Sequence, residues 1–366
     1  MIIELHILQN FAPSCLNRDD TNSPKECLFG GYRRARISSQ CIKRAIRSQF
    51  RDNSLVSQDT LAKRTKLLVK ELARRLVEAG KSKEEAHNAS KLAVESTGKL
   101  KIKDKEQTEY LLFIGEREIA AIADVISQNW GDLNSSKPDK KRLDEIGKQI
   151  LDKFTGGKSI DLSLFGRMLA DLPDKKTDAA CQVAHAISTH KVGVEFDFYT
   201  AIDDLQTEEE TGAGMMGTIE FNSACYYRYA NIDLEQLKAN LKDDELAKKT
   251  VEAFIRAAKD AVPTGKQTSF SAQNPPDFVM AVVRDNGSWS LANAFAKPVK
   301  ENGDLVVNSI EALVQYWNTL NRAYPTDGIL AKPVLSLKET ATEGLQKVNN
   351  FEELVAVVNK AIAGDC

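Results

Sequence analysis

The sequence predicts an α+β fold interrupted by a long helical insertion. Three observations carry that expectation: a strand-like start, helical periodicity from about 57 to 155, and strand signals that return near 192–202 and 217–230. At the start, Ile3, Leu5 and Ile7 alternate with Glu4, His6 and Leu8, the period of a strand with one strongly apolar face. Residues 9–37 are rich in turn formers (Pro13, Asn17, Asn22, Pro24, Gly30-Gly31) and read as a long loop, of a length that is usually either functional or disordered. Ser38-Ser39 then offers a helix N-cap, and Ile42, Ala45, Ile46 and Phe50 follow at helical spacing. Lys43, Arg44, Arg47 and Arg51 fall on the opposite half of that helix, so its outer face is basic rather than mixed.

Inside the insertion, Leu61, Leu68, Leu72 and Leu76 form one stripe, and Tyr110 to Ile126 is a second apolar-periodic stretch. Lysine-rich connectors separate them, first Lys99, Lys101, Lys103 and Lys105, then Lys137, Lys140, Lys141 and Arg142. Val192, Val194, Phe196 and Phe198 mark one returning strand; Ile219, Phe221, Tyr227 and Tyr229 mark the next. Joined through DDLQTEEETGAGMMG (203–217), they read as a long β-hairpin arm. Helices are expected from near Asp233, over 243–262, 309–322 and 351–362, with an apolar strand at 278–283.

With 366 residues, 42% of them apolar and 28% charged, the chain suits one large or two modest soluble domains. No apolar run reaches the ~18 residues of a membrane span, so no membrane contact is expected. MIIELHILQN lacks the basic start and small-residue cleavage site of a signal peptide. Six cysteines without a CxxC pair read as reduced thiols of a cytoplasmic protein. The net charge of −2 hides an asymmetry: residues 1–51 hold nine Lys/Arg against four acids, a net of +5, leaving −7 for the remainder. Averaged over the molecule the protein would repel a polyanion, whereas its N-terminal seventh would attract one.

Gly212, Gly214 and Gly217 match GxGxxG, but Glu208, Glu209 and Glu210 precede them and a strand pattern follows. The dinucleotide fingerprint needs a strand before it and a helix after it, so these glycines suit a hairpin tip instead. His185 and His190 miss the i, i+4 spacing of paired ligands on a helix, and His6 and His87 have no companions. All four read as structural, and no metal or other cofactor is expected. Asp19-Asp20 and Asp203-Asp204 are the tight carboxylate pairs in loops. Such pairs can hold Mg²⁺ for phosphodiester cleavage, but turn chemistry or pairing with a neighbour such as Arg18 is their commoner role.

"RRARISSQCIKRAIR" (33–47) carries more. A helix N-terminus exposes N–H groups and a positive dipole end, a ready phosphate site, to which Ser38, Ser39 and Gln40 add short donors. Lys43 and Arg47, one turn apart, extend a positive track with Arg44, while Arg33, Arg34 and Arg36 approach from upstream. Discrete donors beside a spaced basic track suit a nucleic-acid backbone better than an acidic protein patch.

"PSCLNRDD" (13–20), "FGGYRRARISSQCIKRAIR" (29–47), "AHAISTH" (184–190), "FYTAIDDLQ" (198–206), "YRYANIDL" (227–234) and "LANAF" (291–295) follow one another in a familiar order. Together they resemble the CasC-type backbone subunit of the type I-E CRISPR Cascade complex, over essentially the whole chain. The resemblance implies a hand: an RRM-like (ferredoxin-like) palm from 1–56 and 221–366, a helical finger at 57–180 and a β-hairpin thumb at 190–220. It implies copies stacked head-to-tail along a crRNA spacer, beside CasA-, CasB-, CasD- and CasE-type subunits, with guide bases left free to pair with target DNA.

By the same resemblance, Arg18, Lys25, Ser38, Gln40, Lys43 and Arg44 match the RNA-gripping motif, and Met168 matches a finger residue that wedges against bases. Lys137, Lys140 and Lys141 match a basic patch facing the DNA duplex, and Asp203, Asp204, Met215 and Met216 belong to the thumb. The RNP1 pattern of sequence-reading RRMs is absent, so base stacking on an exposed sheet is not implied. The expected protein is a non-catalytic RNA binder. Its rivals are a metal-dependent ribonuclease using Asp19 and Asp20, because related backbone subunits cut RNA with a loop aspartate, and a general single-stranded RNA binder.

Overall fold

A computed structural model describes residues 1–169, 172–201, 215–325, 327–340 and 342–364. The fold is mixed α+β. Two compact units form, one from Met1–Asp52, Gln182–Ile232 and Glu252–Cys366, the other from Asn53–Cys181 and Asp233–Val251.

The first unit is built on a large sheet. Its strands run in the order Gln346–Lys347, Pro333–Ser336, Phe278–Arg284, Ile2–Ser14, Met215–Asp233, Ala186–Ser188, Tyr32–Ile37, Glu26–Phe29. Neighbours with an assigned register pair antiparallel, except Pro333–Ser336 with Gln346–Lys347. The opening strand lies in the middle, in register from Ile2 opposite Arg284 to Leu8 opposite Phe278. A central strand is buried on both faces, and this one has polar residues on one of them. Leu5 and Ile7 close against Ile42 and Ile46 of the Ser39–Asp52 helix, leaving a space of only about 10 Å³. Burying each such side chain is worth roughly 1.5–3 kcal/mol, which is why the helix lies apolar face down.

On the other face Glu4 and His6 are fully buried; the Glu4 carboxylate and one His6 ring nitrogen have polar partners, while His6 Nε2 has no hydrogen-bond partner among the described residues. Glu4 pairs with Arg284 at 2.9 Å and accepts from the Tyr229 hydroxyl at 3.0 Å; His6 Nδ1 lies 2.9 Å from the Tyr227 hydroxyl. Burial, reinforced by Arg284, pushes His6 from its ordinary 6.5 down to about 3. The unfolded chain therefore takes up a proton below about pH 6.5 that the folded one refuses, and stability falls with acidification at up to roughly 1.4 kcal/mol per pH unit. Urea midpoints between about pH 6.5 and 4.5 should fall less steeply in His6→Gln than in wild type. Equal slopes would contradict a neutral buried ring.

The expected loop at 9–37 is largely strand. The first strand continues to Ser14, and Glu26–Phe29 pairs with Tyr32–Ile37 as a hairpin. Its turn is Gly30-Gly31, with φ of 60° and 84°, the positive pair that a tight two-residue hairpin turn demands. Arginines at alternate positions hid the strand period.

In the second unit, Leu68, Leu72 and Leu76 of the Leu68–Glu78 helix pack in one core with Ala86, Ala89, Ile119, Ile122, Ile126, Ile146 and Ile150. The stretch from Tyr110 divides into a strand, Leu112–Gly115, and a helix, Glu116–Gln128. Gly115 caps that helix, and the Glu118 carboxylate accepts from its N–H at 2.8 Å. Farther along, the expected elements appear as Leu234–Leu241, Asp244–Asp260, Phe278–Arg284, Leu305–Ala323 and Phe351–Ala363. No helix among the described residues is long and apolar enough to cross a membrane.

Candidate nucleic-acid interface

In the first unit, residues 15–25 form a loop clamped onto the start of the Ser39–Asp52 helix. Asn17 is the clamp: its carbonyl accepts from Lys25 N–H at 2.8 Å and its side-chain oxygen accepts from Ser38 N–H at 2.9 Å. Asp19 organises the loop from within. One of its oxygens accepts from Thr21 N–H (2.9 Å), the Thr21 hydroxyl (2.8 Å) and Ser23 N–H (3.0 Å). The Thr21 hydroxyl leads these contacts in holding the Asp19 carboxyl below the usual carboxylate range. Asp20 is exposed beside it. Among the described residues, no group of three or more His, Cys, Asp or Glu side chains is arranged to hold a metal ion.

The helix start is not bare. Ser38 is buried and its hydroxyl accepts from Cys41 N–H at 3.3 Å, an N-cap rather than an exposed donor. Ser39 N–H donates to His185 Nδ1 at 3.2 Å, and the Arg36 guanidinium reaches the same nitrogen at 3.3 Å. Two donors on Nδ1 make it the acceptor and place the ring proton on Nε2. Burial, with Arg36 and Lys25 nearby, lowers the His185 pKa and favours this neutral form. His185 therefore fixes both the helix start and Arg36. His185 belongs to the AHAISTH motif, but its partnership with Ser39, 146 residues away, was not legible in the sequence.

The basic residues divide by exposure. Arg18, Gln40 and Arg44 are exposed; Lys25, Arg36, Ser39 and Lys43 are half-buried. Arg18 donates to Asn22 at 3.0 Å, and Arg33 is exposed but paired with Glu26. Arg34 is a correction. It is fully buried and donates to the carbonyls of Ser188 (3.0 Å) and Phe295 (2.6 Å), so its charge holds the sheet to the Ala292–Phe295 turn and is not offered to a ligand. Arg47 is a second: it flanks the apolar face rather than opposing it, and only 8% of it is exposed.

Beside this surface is a cleft of about 400 Å³, lined by Asn17, Arg18, Asp19, Arg44, Ser48 and Gln49 and closed by the turn Val262–Gly265. Sequence reading passed over that turn. Gly265 lies so close to Leu16 that a Cβ there would come within 2.3 Å of the Leu16 carbonyl oxygen.

Also in the first unit, Glu195–Ala201 pairs antiparallel with the start of Met215–Asp233, from Glu195 opposite Phe221 to Ala201 opposite Met215. Phe196 and Phe198 share one face with Met216, and all three are at least 65% exposed. The two phenylalanines read as strand markers in the sequence, yet they are surface. Met215, 59% exposed, lies on the opposite face. Asp203, Asp204 and Glu208–Glu210 lie outside the described residues.

In the second unit Met168 is 89% exposed, beside Tyr110 and Leu111 at the rim of an apolar hollow of about 240 Å³. Its neighbour Arg167 is the reverse. That side chain is 1% exposed, pairs with the fully buried Glu118 at 2.7 Å, and its main chain exchanges two hydrogen bonds with Thr177, each 2.9 Å. An anchored residue thus presents an exposed one. Lys137, Lys140 and Lys141 are exposed and make no ion pair among the described residues. The last two occupy the first turn of the Lys140–Asp152 helix, where the macrodipole disfavours cations, so helix stability does not explain them.

A family model for CT1975-like proteins matches residues 3–360 of the chain. Among solved structures, it resembles a chain described as "CRISPR RNA-guided surveillance complex, pre-nicking", with a TM-score of 0.88 and 31% identity, over 99% of this chain and 100% of that one. A second, described as "CRISPR RNA-guided surveillance complex", gives a TM-score of 0.76 at 25% identity, with coverage of 99% and 100%. No protein of curated function matches the sequence.

Proposed function

The chain belongs to the CT1975-like protein family, and from that premise we propose that it is the crRNA-binding backbone subunit of a type I-E CRISPR surveillance complex. One observation carries the reading: Arg18, Lys25 and Arg44 stand on a single loop-and-helix surface without an ion pair among the described residues, and Asn17, Asp19 and His185 hold that surface in shape. Unneutralised cations on a rigid frame suit phosphates at fixed spacing. The contacts go to backbone, so sequence is read by guide–target pairing and the protein positions the guide.

The other features take their places in this reading. Copies stack head-to-tail along the spacer; the paired strands Glu195–Ala201 and Met215–Asp233, with Met215 and Met216, fold over the guide; and Met168 wedges against bases. Lys137, Lys140 and Lys141 meet the target duplex, and subunits of CasA, CasB, CasD and CasE type complete the assembly. The protein does no chemistry in this account. Labelled single-stranded RNA should survive incubation with Mg²⁺ or Mn²⁺, in wild type as in Asp19→Ala and Asp20→Ala. Asp19→Ala should instead weaken RNA binding roughly fivefold, because losing the turn's hydrogen bonds is worth about 1 kcal/mol. Metal-dependent cleavage that vanishes in either variant would favour the ribonuclease.

A further inference from the structure

The second unit carries a groove that the RNA account does not use. It has a volume of about 560 Å³, and its floor is aliphatic: Leu67, Ala73 and Val77, from one face of the Leu68–Glu78 helix and its cap. Leu67 and Val77 are 44% and 40% exposed. They stand ten residues apart, about 15 Å along a helix. The rim is basic. Lys70, Lys83 and Lys105 line it and make no ion pair among the described residues, whereas the two carboxylates there are already paired, Glu78 to Arg74 and Glu106 to His87.

The third wall is the turn between Ile102–Lys103 and Gln107–Thr108. Lys105 and Glu106 both have left-handed backbones, with φ of 60° and 58°, a conformation that side-chain-bearing residues rarely hold consecutively. The pairing of Glu106 with His87 at 2.8 Å ties this turn to the Lys83–Ser96 helix, and Lys105 lines the same groove. Three lysines therefore surround an apolar trough.

We propose that this groove docks an acidic amphipathic helix of a partner protein. Aliphatic side chains at i, i+3, i+7 and i+10 of such a helix match the length and chemistry of the floor, and flanking glutamates match the three lysines. The lining favours this over nucleic acid, because unstacked bases seek aromatic or guanidinium planes, and the guanidinium and imidazole that line the groove, Arg74 and His87, are already engaged by Glu78 and Glu106. The proposal is independent of the RNA site, which uses other residues.

The test is fluorescence anisotropy of the full-length chain with a labelled peptide of roughly 14 residues, carrying leucines at that spacing and glutamates beside them. A scrambled isomer of equal charge and a single-stranded RNA oligonucleotide serve as competitors. Binding near 10 μM is expected on the order-of-magnitude scale of such motifs. Val77→Asp should weaken it at least tenfold, as should the double variant Lys70→Glu, Lys83→Glu, while both keep wild-type circular dichroism and RNA affinity. The proposal is overturned if the patterned peptide does not bind, if the scrambled isomer binds equally well, or if Val77→Asp has no effect. Displacement of the peptide by RNA would reassign the groove to nucleic acid.

Discussion

Replacing Glu118 by alanine is expected to destabilise the second unit by about 3–5 kcal/mol, as removal of one partner from a buried ion pair typically does. Glu118 is fully buried and Arg167 nearly so; their shortest contact is 2.7 Å. The same carboxylate accepts from Gly115 N–H at 2.8 Å and Gly156 N–H at 2.6 Å. Without it a guanidinium remains in the interior with no carboxylate among the described residues, facing the carbonyls of Phe113 and Lys175 at 3.4 and 3.3 Å and the Phe154 ring at 5.7 Å, and two main-chain donors lose their partner. Domain stability is typically about 5–15 kcal/mol, so the loss is a large fraction of it. A denaturant melt should show a lower midpoint. Glu118→Leu combined with Arg167→Met should recover much of the loss, because no uncompensated charge remains buried. If the double variant is as unstable as Glu118→Ala, the two hydrogen bonds to glycine N–H groups matter more than the charge pair.

The second large effect concerns RNA. Reversing Arg18, Lys25 and Arg44 to glutamate should lower affinity for single-stranded RNA on the order of 100-fold at physiological salt, since three phosphate contacts become repulsive. Stability should change little. Arg18 and Arg44 are exposed and Lys25 is half-buried, and none belongs to the core or to an ion pair among the described residues. Arg34→Glu and Arg47→Glu would be poor probes of the same surface. Both residues are buried, and for Arg34 a carboxylate would face the carbonyls of Ser188 and Phe295. Misfolding there would be mistaken for lost binding.

What could be read from the sequence was local. The Ser39–Asp52 helix and its apolar face follow from the i, i+3, i+4 spacing of Ile42, Ala45 and Ile46, and that face is buried. The leucine stripe of 68–76 and the later helices were legible for the same reason. The resemblance drawn from motifs at 13–20, 29–47 and beyond is borne out by the family match over 3–360.

Long-range partners were not legible. Arg34 and Arg36 look alike in sequence, yet one is sealed against residues beyond 180 and the other stands beside His185. The burial of Glu4 and His6 follows from their strand's place in the middle of the sheet, which local alternation does not give. The Glu26–Ile37 hairpin was hidden because its strands carry charge where strand periodicity expects apolar residues. Phe196 and Phe198 show the converse: aromatic alternation marked a strand correctly but said nothing of its exposure.

The central claim is that the loop of 15–25 and the helix it clamps grip an RNA backbone through charge. Its most direct test is the slope of log K against log salt for single-stranded RNA, measured for the full-length wild type and for the variant with Arg18, Lys25 and Arg44 reversed. Each phosphate contact contributes roughly −0.7 to the slope for a single strand, so the variant's slope should be shallower by about 2. Equal slopes, with both proteins folded, would place the RNA elsewhere on the molecule and contradict the account.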